Sequence, residues 1–280
     1  MGSMSSNHTV LQTPGKEELV PATVPAIAES QISATVQGNQ RILKSNGIAP
    51  HNTGQFPNDN NPNPIREQDF SYHIPVEPQL APEVTKEGFI FGIAVNGVLF
   101  DPETAAYYQG DSSLGWRYNA LSGAIKFGLD ENYAHVQPRG IYHYHHLPTQ
   151  LLDNLNQSPK KHSALIGWAA DGFPIYALYG YQNGDAANSK IVEMSSSYRL
   201  KKGDRPGGKE PGGFYDGTFI ADYEYVEGLG KLDECNGRMT VTPDFPDGTY
   251  AYFLTEDFPN IPRCFKGKPS EDFAKGGSRR

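Results

Sequence analysis

Glycine and proline occur so often along this chain that they limit it to short regular elements. The 280 residues include 30 Gly and 22 Pro. Both residues interrupt helices and favour turns, so we expect short strands joined by ordered loops. The sequence therefore predicts a mainly β fold: a loop-rich antiparallel β sandwich or barrel-like single domain with few short helices.

The charge balance and hydropathy exclude two classes of partner. Lys and Arg total 24 against 32 Asp and Glu, which gives a formal net charge of -8. This acidic excess leaves no basic surplus to neutralise phosphates, so we expect no nucleic-acid partner. No apolar run reaches the roughly 18 residues that a membrane helix needs, so we expect no membrane span.

A change in composition divides the chain at about residue 41. The first four residues resemble a vector scar, and the segment that follows is rich in Thr, Pro, Ala, Val and Gln without a clear period. We therefore expect residues 1–40 to form a flexible tail. Residues 41–273 are predicted to form one β domain, and residues 274–280 a C-terminal tail.

Several segments have the pattern of short strands. The apolar run 89–95 is followed by Asn96-Gly97 and a second apolar run, which predicts a tight hairpin. One helix is predicted over residues 148–156, where leucines fall on one face. The other predicted strands are residues 70–74, 141–146, 165–169, 175–178, 219–226 and 249–254.

Two histidines on one predicted strand indicate a metal site. His143 and His145 are two residues apart in a Tyr-His-Tyr-His run. Alternate side chains on a strand share a face, so both imidazoles project to one side and both tyrosines to the other. His135 precedes them across a turn-like sequence at residues 137–140, so it can face the same pocket. Three neutral imidazoles suit zinc, copper, iron or nickel.

Other polar residues are candidates for completing such a site. Asp171 either binds the metal, orients a histidine or caps a tight turn. Asp233 and Glu234 are paired carboxylates, although neighbours on a strand point to opposite sides. His51 is a further possible ligand or supporting residue. The alternative for all of these side chains is a structural role.

Gly140-Ile141-Tyr142-His143-Tyr144-His145 resembles the signature of the YHYH-domain proteins. The resemblance covers roughly residues 42–270, and it implies a bacterial, mostly exported protein. We therefore expect a periplasmic or secreted location, although this sequence contains no hydrophobic signal segment. The other segments similar to the family are Ser45-Asn46-Gly47-Ile48 with His51, and residues 89–102, 129–138, 171–176, 232–238 and 258–267.

The resemblance also bears on the two cysteines. Cys235 and Cys264 both lie in family-like segments, and in an exported protein the default is a single disulfide between them. The competing interpretation is that one thiolate binds copper or zinc.

Together these features predict an exported transition-metal-binding protein with its site on His135, His143 and His145. The expected ion is copper or zinc. One alternative is a metal-dependent hydrolase or oxidase, in which the same histidines leave a coordination position open. The other is a metal-free module whose tyrosine-rich face contacts a carbohydrate or a surface protein. The sequence does not identify any small-molecule or surface partner.

Overall fold

Short strands account for most of the regular structure in the computed structural model, which describes residues 17–275. The strands are β1 (Ile32–Gln37), β2 (Gln40–Ser45), β3 (Phe70–Pro75), β4 (Leu80–Thr85), β5 (Gly92–Ala94), β6 (Leu99–Phe100), β7 (Ala134–Val136), β8 (Tyr142–Tyr144), β9 (Gly167–Ala169), β10 (Pro174–Ala177), β11 (Tyr179–Tyr181), β12 (Ile191–Glu193), β13 (Tyr198–Leu200), β14 (Tyr223–Tyr225), β15 (Gly237–Thr240), β16 (Thr249–Leu254) and β17 (Phe265–Gly267). The helix α1 spans Thr149–Asn154, and short 3-10 turns span Tyr108–Gly110, Ser112–Leu114, Ile220–Asp222 and Glu271–Phe273.

An eight-stranded sheet organises the fold, in the order β15-β16-β10-β9-β5-β6-β8-β7. Strands β1, β2 and β3 form a second sheet, and β11–β12, β13–β14 and β4–β17 form separate pairs. The predicted mainly β, loop-rich class is therefore confirmed. Two details differ from the prediction. The main sheet is mixed, because β6–β8 and β10–β16 are parallel, and no sheet in residues 17–275 closes into a barrel.

Several predicted elements appear close to where the sequence indicates them. Strand β3 and strand β16 match the segments predicted at residues 70–74 and 249–254. Strands β5 and β6 form the expected antiparallel hairpin around Asn96-Gly97, where Gly97 has a φ of +85°. Helix α1 lies inside the predicted range. No helix within the described part of the chain is both long and apolar enough to cross a membrane.

Part of the predicted N-terminal tail belongs to the fold. Strand β1 pairs with β2 along its whole length, and the backbone N–H of Val20 donates to the carbonyl of Leu129 at 2.8 Å. The prediction of a flexible tail is therefore wrong for residues 17–40. All six side chains of β1 are exposed, although Ile32, Ala34 and Val36 alternate with polar residues as in a strand; this short pattern lies in a segment whose composition is otherwise typical of a tail. Residues 1–16, which include the vector scar, lie outside the described residues.

The predicted C-terminal tail also begins inside the fold. Ala274 forms a β-bridge with Phe89, and the backbone N–H of Lys275 donates to the carbonyl of Gly88 at 2.7 Å. Backbone hydrogen bonds therefore attach the chain at residues 274 and 275. Residues 276–280 lie outside the described residues.

Aromatic side chains dominate the core around the main sheet. Both tyrosines of β8 are buried, with 1% of Tyr142 and none of Tyr144 exposed. Other large, fully buried side chains include Tyr72, Tyr176, Tyr252, Phe70, Phe91, Phe100, Phe253, Phe273, Ile48 and Ile74. Burial of aromatic rings of this size contributes strongly to the hydrophobic stabilisation of the domain.

A disulfide joins Cys235, before β15, to Cys264, before β17. Both residues are buried, with 0% and 4% of their surfaces exposed. The predicted pairing is therefore present in the structure. Because both sulfurs are used in this bond, neither cysteine offers a thiolate to a metal ion.

Asp171 is a buried carboxylate that holds two strands together. Its Oδ2 accepts hydrogen bonds from the Tyr252 hydroxyl at 2.5 Å and from the backbone N–H of Gly267 at 2.9 Å. Its Oδ1 accepts from the backbone N–H of Phe173 at 3.3 Å. Burial raises the pKa of Asp171 from 3.8 to about 6, although these hydrogen bonds oppose the shift.

We expect Asp171 to make the stability of the domain fall as the pH rises from about 4 to 6. The raised pKa means that the folded protein binds this proton more tightly than the unfolded chain, so the stabilisation is complete below about pH 4 and lost above about pH 6. The difference amounts to about 3 kcal/mol at most. Denaturant unfolding of the wild type and Asp171→Asn at several pH values measures it. A difference in unfolding free energy that stays constant with pH would contradict this expectation.

Candidate metal centre

The β7–β8 hairpin brings the first two predicted histidines together. The strands are antiparallel, and His135 lies directly opposite His143. The turn between them closes through a hydrogen bond from the N–H of Gly140 to the carbonyl of Gln137 at 2.8 Å. Gly140 has a φ of +84°, a backbone conformation that favours glycine. The local sequence therefore determines the pairing that aligns the two imidazoles.

The three predicted histidines converge through the same ring atom. Nε2 of His143 lies 2.9 Å from Nε2 of His145, and the latter lies 3.1 Å from Nε2 of His135. The ring centroids are 4.7–4.8 Å apart for all three pairs. Tetrahedral coordination with bonds of 2.0–2.1 Å separates ligand nitrogens by about 3.3 Å, so a small outward shift would admit an ion.

Backbone carbonyls orient two of the rings. Nδ1 of His135 donates to the carbonyl of Phe127 at 3.0 Å, and Nδ1 of His143 donates to the carbonyl of Ile141 at 3.1 Å. A carbonyl oxygen only accepts, so the ring hydrogen of each neutral imidazole belongs on Nδ1. Nε2 then presents its lone pair to the centre of the triad. Nδ1 of His145 is buried and has no hydrogen-bond partner.

Burial keeps two of these histidines neutral at pH 7. His143 and His145 expose only 1% and 2% of their surfaces. Loss of solvation lowers the pKa of His143. It also lowers the pKa of His145 well below the ordinary value, and the neighbouring His143 and His135 lower it further. His135 is only partly buried, so the triad approaches the surface on its side.

The predicted carboxylate candidates lie elsewhere. Asp171 is engaged in the strand contacts described above. The Asp233 carboxylate accepts the backbone N–H of Cys235 at 2.9 Å and lies 3.5 Å from Nζ of Lys266. Glu234 lies 3.8 Å from the same Nζ. Within residues 17–275, the three histidines are the group of His, Cys, Asp and Glu side chains that could hold a metal ion, and it includes none of these carboxylates.

His51 lies on the opposite face of β8 and contacts a tyrosine instead of the triad. The Tyr144 hydroxyl donates to Nε2 of His51 at 2.7 Å and accepts from the side-chain amide of Asn96 at 2.8 Å. The Tyr142 hydroxyl donates to the buried carboxylate of Asp130 at 2.7 Å. Because both tyrosines are buried and hydrogen-bonded, this face offers no exposed aromatic surface to a carbohydrate or protein partner.

Charged residues near the triad were not among the sequence candidates. Asp101, Glu103, Arg117, Arg263 and Lys275 come from four separate segments of the chain. Asp101 follows β6, whose residues Leu99 and Phe100 pair with His143 and Tyr144 of β8. The signal available in the sequence was the position of Asp101 and Arg263 inside family-like segments.

Comparisons with known proteins identify a family. A family model described as YHYH protein matches residues 71–267, which include the whole hairpin and the disulfide. Searches of curated proteins and of solved structures found no significant match.

Proposed function

The chain belongs to the YHYH protein family, and we propose that it is an exported protein that binds one transition-metal ion. The ligands in this proposal are Nε2 of His135, His143 and His145. The observation that carries it is the convergence of these three atoms: Nε2 of His145 lies 2.9 Å from Nε2 of His143 and 3.1 Å from Nε2 of His135. Three imidazoles that only packed together could face one another through any ring atoms, whereas a shared metal ion requires one nitrogen from each ring to point to the centre.

The hydrogen-bond pattern of the metal-free triad supports this proposal. His135 and His143 carry their hydrogens on Nδ1, where the carbonyls accept them, so both Nε2 atoms are acceptors. Nε2 of His145 lies between them and has at most one hydrogen to donate. At least one of these buried Nε2 lone pairs therefore has no hydrogen-bond donor, at a cost in free energy. A metal ion would compensate that cost by accepting a lone pair from each of the three Nε2 atoms.

Copper or zinc is the ion that we expect here, among the zinc, copper, iron and nickel ions that three imidazoles suit. An imidazole-only set suits Zn²⁺ and Cu²⁺, and it lacks the thiolate or thioether ligands typical of Cu⁺ sites. Copper binds such nitrogen ligands more tightly than zinc does, so competition in a test tube favours copper. The ion present in the protein as isolated therefore identifies the metal better than relative affinity does.

A metal-dependent hydrolase or oxidase is the second candidate, and the number of protein ligands favours it. Structural zinc sites are almost always closed by four protein ligands, whereas catalytic sites use three and leave a position for water or substrate. The described residues offer three histidines and no fourth ligand in the group. In this case the ion would activate water or polarise a bound group.

The disulfide supports the proposed export. Disulfides persist in oxidising compartments such as the periplasm and the extracellular space, and they are rare in the cytosol. The pair Cys235–Cys264 is buried, as expected of a structural bond that forms once and remains.

Elemental analysis of protein purified without a chelator tests the metal proposal. We expect about one copper or zinc ion per chain in the wild type, and less than about one tenth of that in His143→Ala/His145→Ala, because one remaining imidazole binds weakly. His73→Ala serves as the matched control, since His73 is partly exposed, lies outside the triad and is paired with Asp272. Equal metal content in the double variant and the wild type would contradict the proposal.

A further inference from the structure

Two carboxylates and two cations next to the triad neutralise one another. Nζ of Lys275 lies 2.6 Å from Oδ1 of Asp101 and 3.1 Å from Oε2 of Glu103. Nη1 of Arg117 lies 2.7 Å from the same Glu103 oxygen. Asp101 and Glu103 are largely buried, so these pairs are shielded from solvent. This network has no net charge left to offer a ligand or another ion.

Arg263 is a further cation near this network, and it forms no ion pair with either carboxylate. Its Nη1 donates to the carbonyl of Pro102 at 3.0 Å, and its guanidinium carbon lies 5.2 Å from the centre of the Phe258 ring. Its Nε is buried and has no hydrogen-bond partner. No carboxylate in residues 17–275 lies within ion-pair distance of this guanidinium. A partly buried cation whose buried Nε–H has no acceptor is costly unless an anion approaches it.

Two hydrogen bonds also connect Arg263 to the histidine strand β8. The carbonyl to which it donates belongs to Pro102, and the preceding residue, Asp101, donates its backbone N–H to the carbonyl of Tyr144 at 3.1 Å. Tyr144 lies between two of the histidines. Cys264, adjacent to Arg263, fixes the backbone of this segment through its disulfide.

We propose that Arg263 binds the oxyanion group of a ligand, a carboxylate or a phosphate, that also occupies the open coordination position of the metal ion. This inference rests on the proposed metal function. Three neutral imidazoles contribute no negative charge, so a divalent ion and Arg263 together leave a strongly positive, buried site. Neutral water in the open position would not compensate that charge. An oxyanion compensates it and matches the planar donor geometry of a guanidinium.

The proposal narrows the substrate class of the second candidate function. A metal-dependent enzyme with this site would select substrates that carry a carboxylate or phosphate near the group bound to the metal. Chloride also carries negative charge, but it has no pair of oxygens to accept two parallel N–H donors. We therefore expect oxyanions to bind better than chloride at equal concentration.

Visible absorption of the Co²⁺-loaded full chain tests the inference, because the spectrum of Co²⁺ responds to a change of ligand. Acetate, inorganic phosphate and chloride are titrated separately into the wild type, Arg263→Gln, Arg263→Lys and Arg199→Gln. We expect Arg263→Gln to weaken acetate or phosphate binding by about tenfold to a hundredfold, the value of a charge-assisted hydrogen bond. Arg263→Lys is expected to lose less, because it keeps the charge. Arg199 is exposed and paired with Glu224, so its variant controls for net charge.

The outcomes separate this inference from the function on which it rests. Equal oxyanion affinity in the wild type and Arg263→Gln, with equal Co²⁺ content, overturns the role of Arg263 alone. If neither acetate nor phosphate changes the spectrum of the Co²⁺-loaded wild type, the role of Arg263 is overturned as well. Failure of the wild type to take up Co²⁺ overturns both proposals. Thermal unfolding of each variant identifies a folding defect, and Arg263→Lys is the variant to compare if Arg263→Gln is unstable.

Discussion

EDTA is expected to lower the Tm of the metal-loaded protein by about 8 to 16 °C. The Nε2 atoms of the three histidines converge in the folded chain and not in the unfolded chain, so the proposed ion would stabilise the folded state alone. At a free-ion concentration a thousand times Kd this linkage contributes about 4 kcal/mol. Each kcal/mol shifts Tm by roughly 2–4 °C in a domain of this size. Differential scanning calorimetry with and without EDTA measures the shift.

The matched variant for this measurement is His143→Ala/His145→Ala. We expect EDTA to leave its Tm unchanged, and added Zn²⁺ to raise the Tm of the chelated wild type but not of the variant. His135→Ala is the second variant, because this partly buried ring is easier to truncate without disturbing the core. An EDTA effect of equal size in the double variant would show that the stabilising ion binds elsewhere. No EDTA effect in a wild type that contains metal would contradict the linkage.

The histidine hairpin could be predicted because its signals are local. The alternation along β8 places His143 and His145 on one side, and the turn at residues 137–140 returns the chain so that His135 pairs with His143. Both signals lie within a dozen residues, where backbone geometry alone determines which side chains meet. The burial of Tyr144 follows from the same alternation, since the tyrosine face of this strand packs into the core.

The charged surroundings of the triad could not be predicted in this way. Lys275 contacts Asp101 across 174 residues of sequence, and Arg263 contacts Pro102 across 161. No sequence pattern in either segment predicts such a contact, because the contact depends on how distant loops pack. The exposed strand β1 was missed for a related reason. Its partner β2 supplies the pairing, whereas its own apolar residues Ile32, Ala34 and Val36 stay exposed and belong to no core.

The contrast between local and distant contacts also explains why the role of Asp171 could be predicted only in part. The sequence allowed a turn, a metal ligand or a supporting contact for this residue, and each alternative uses a carboxylate. In the structure Asp171 accepts the backbone N–H of Phe173 within the tight turn, and it also contacts Tyr252 and Gly267, which are 81 and 96 residues away. A carboxylate on a tight turn and one that joins two strands look alike until the distant partners are known.

Loss of the Cys235–Cys264 disulfide is expected to lower the free energy of unfolding by roughly 3–4 kcal/mol. The bond spans 29 residues, and opening it restores conformational entropy to the unfolded chain. The closed segment contains β15 and β16, two neighbouring strands at one edge of the main sheet. We therefore expect the Tm of Cys235→Ala/Cys264→Ala to fall by about 6 to 16 °C. Thermal and denaturant unfolding of the two proteins, each saturated with metal, measure the difference.

The double alanine variant separates the cross-link from the chemistry of free thiols. It leaves no unpaired cysteine and no buried hydroxyl, which serine would introduce. Reduction of the wild type with dithiothreitol is expected to produce a similar loss, and dithiothreitol should not affect the variant. Because Cys235 is fully buried, truncation adds a small packing cost to the variant that reduction does not. Equal unfolding free energies for the oxidised and fully reduced wild type would contradict the expected contribution of the bond.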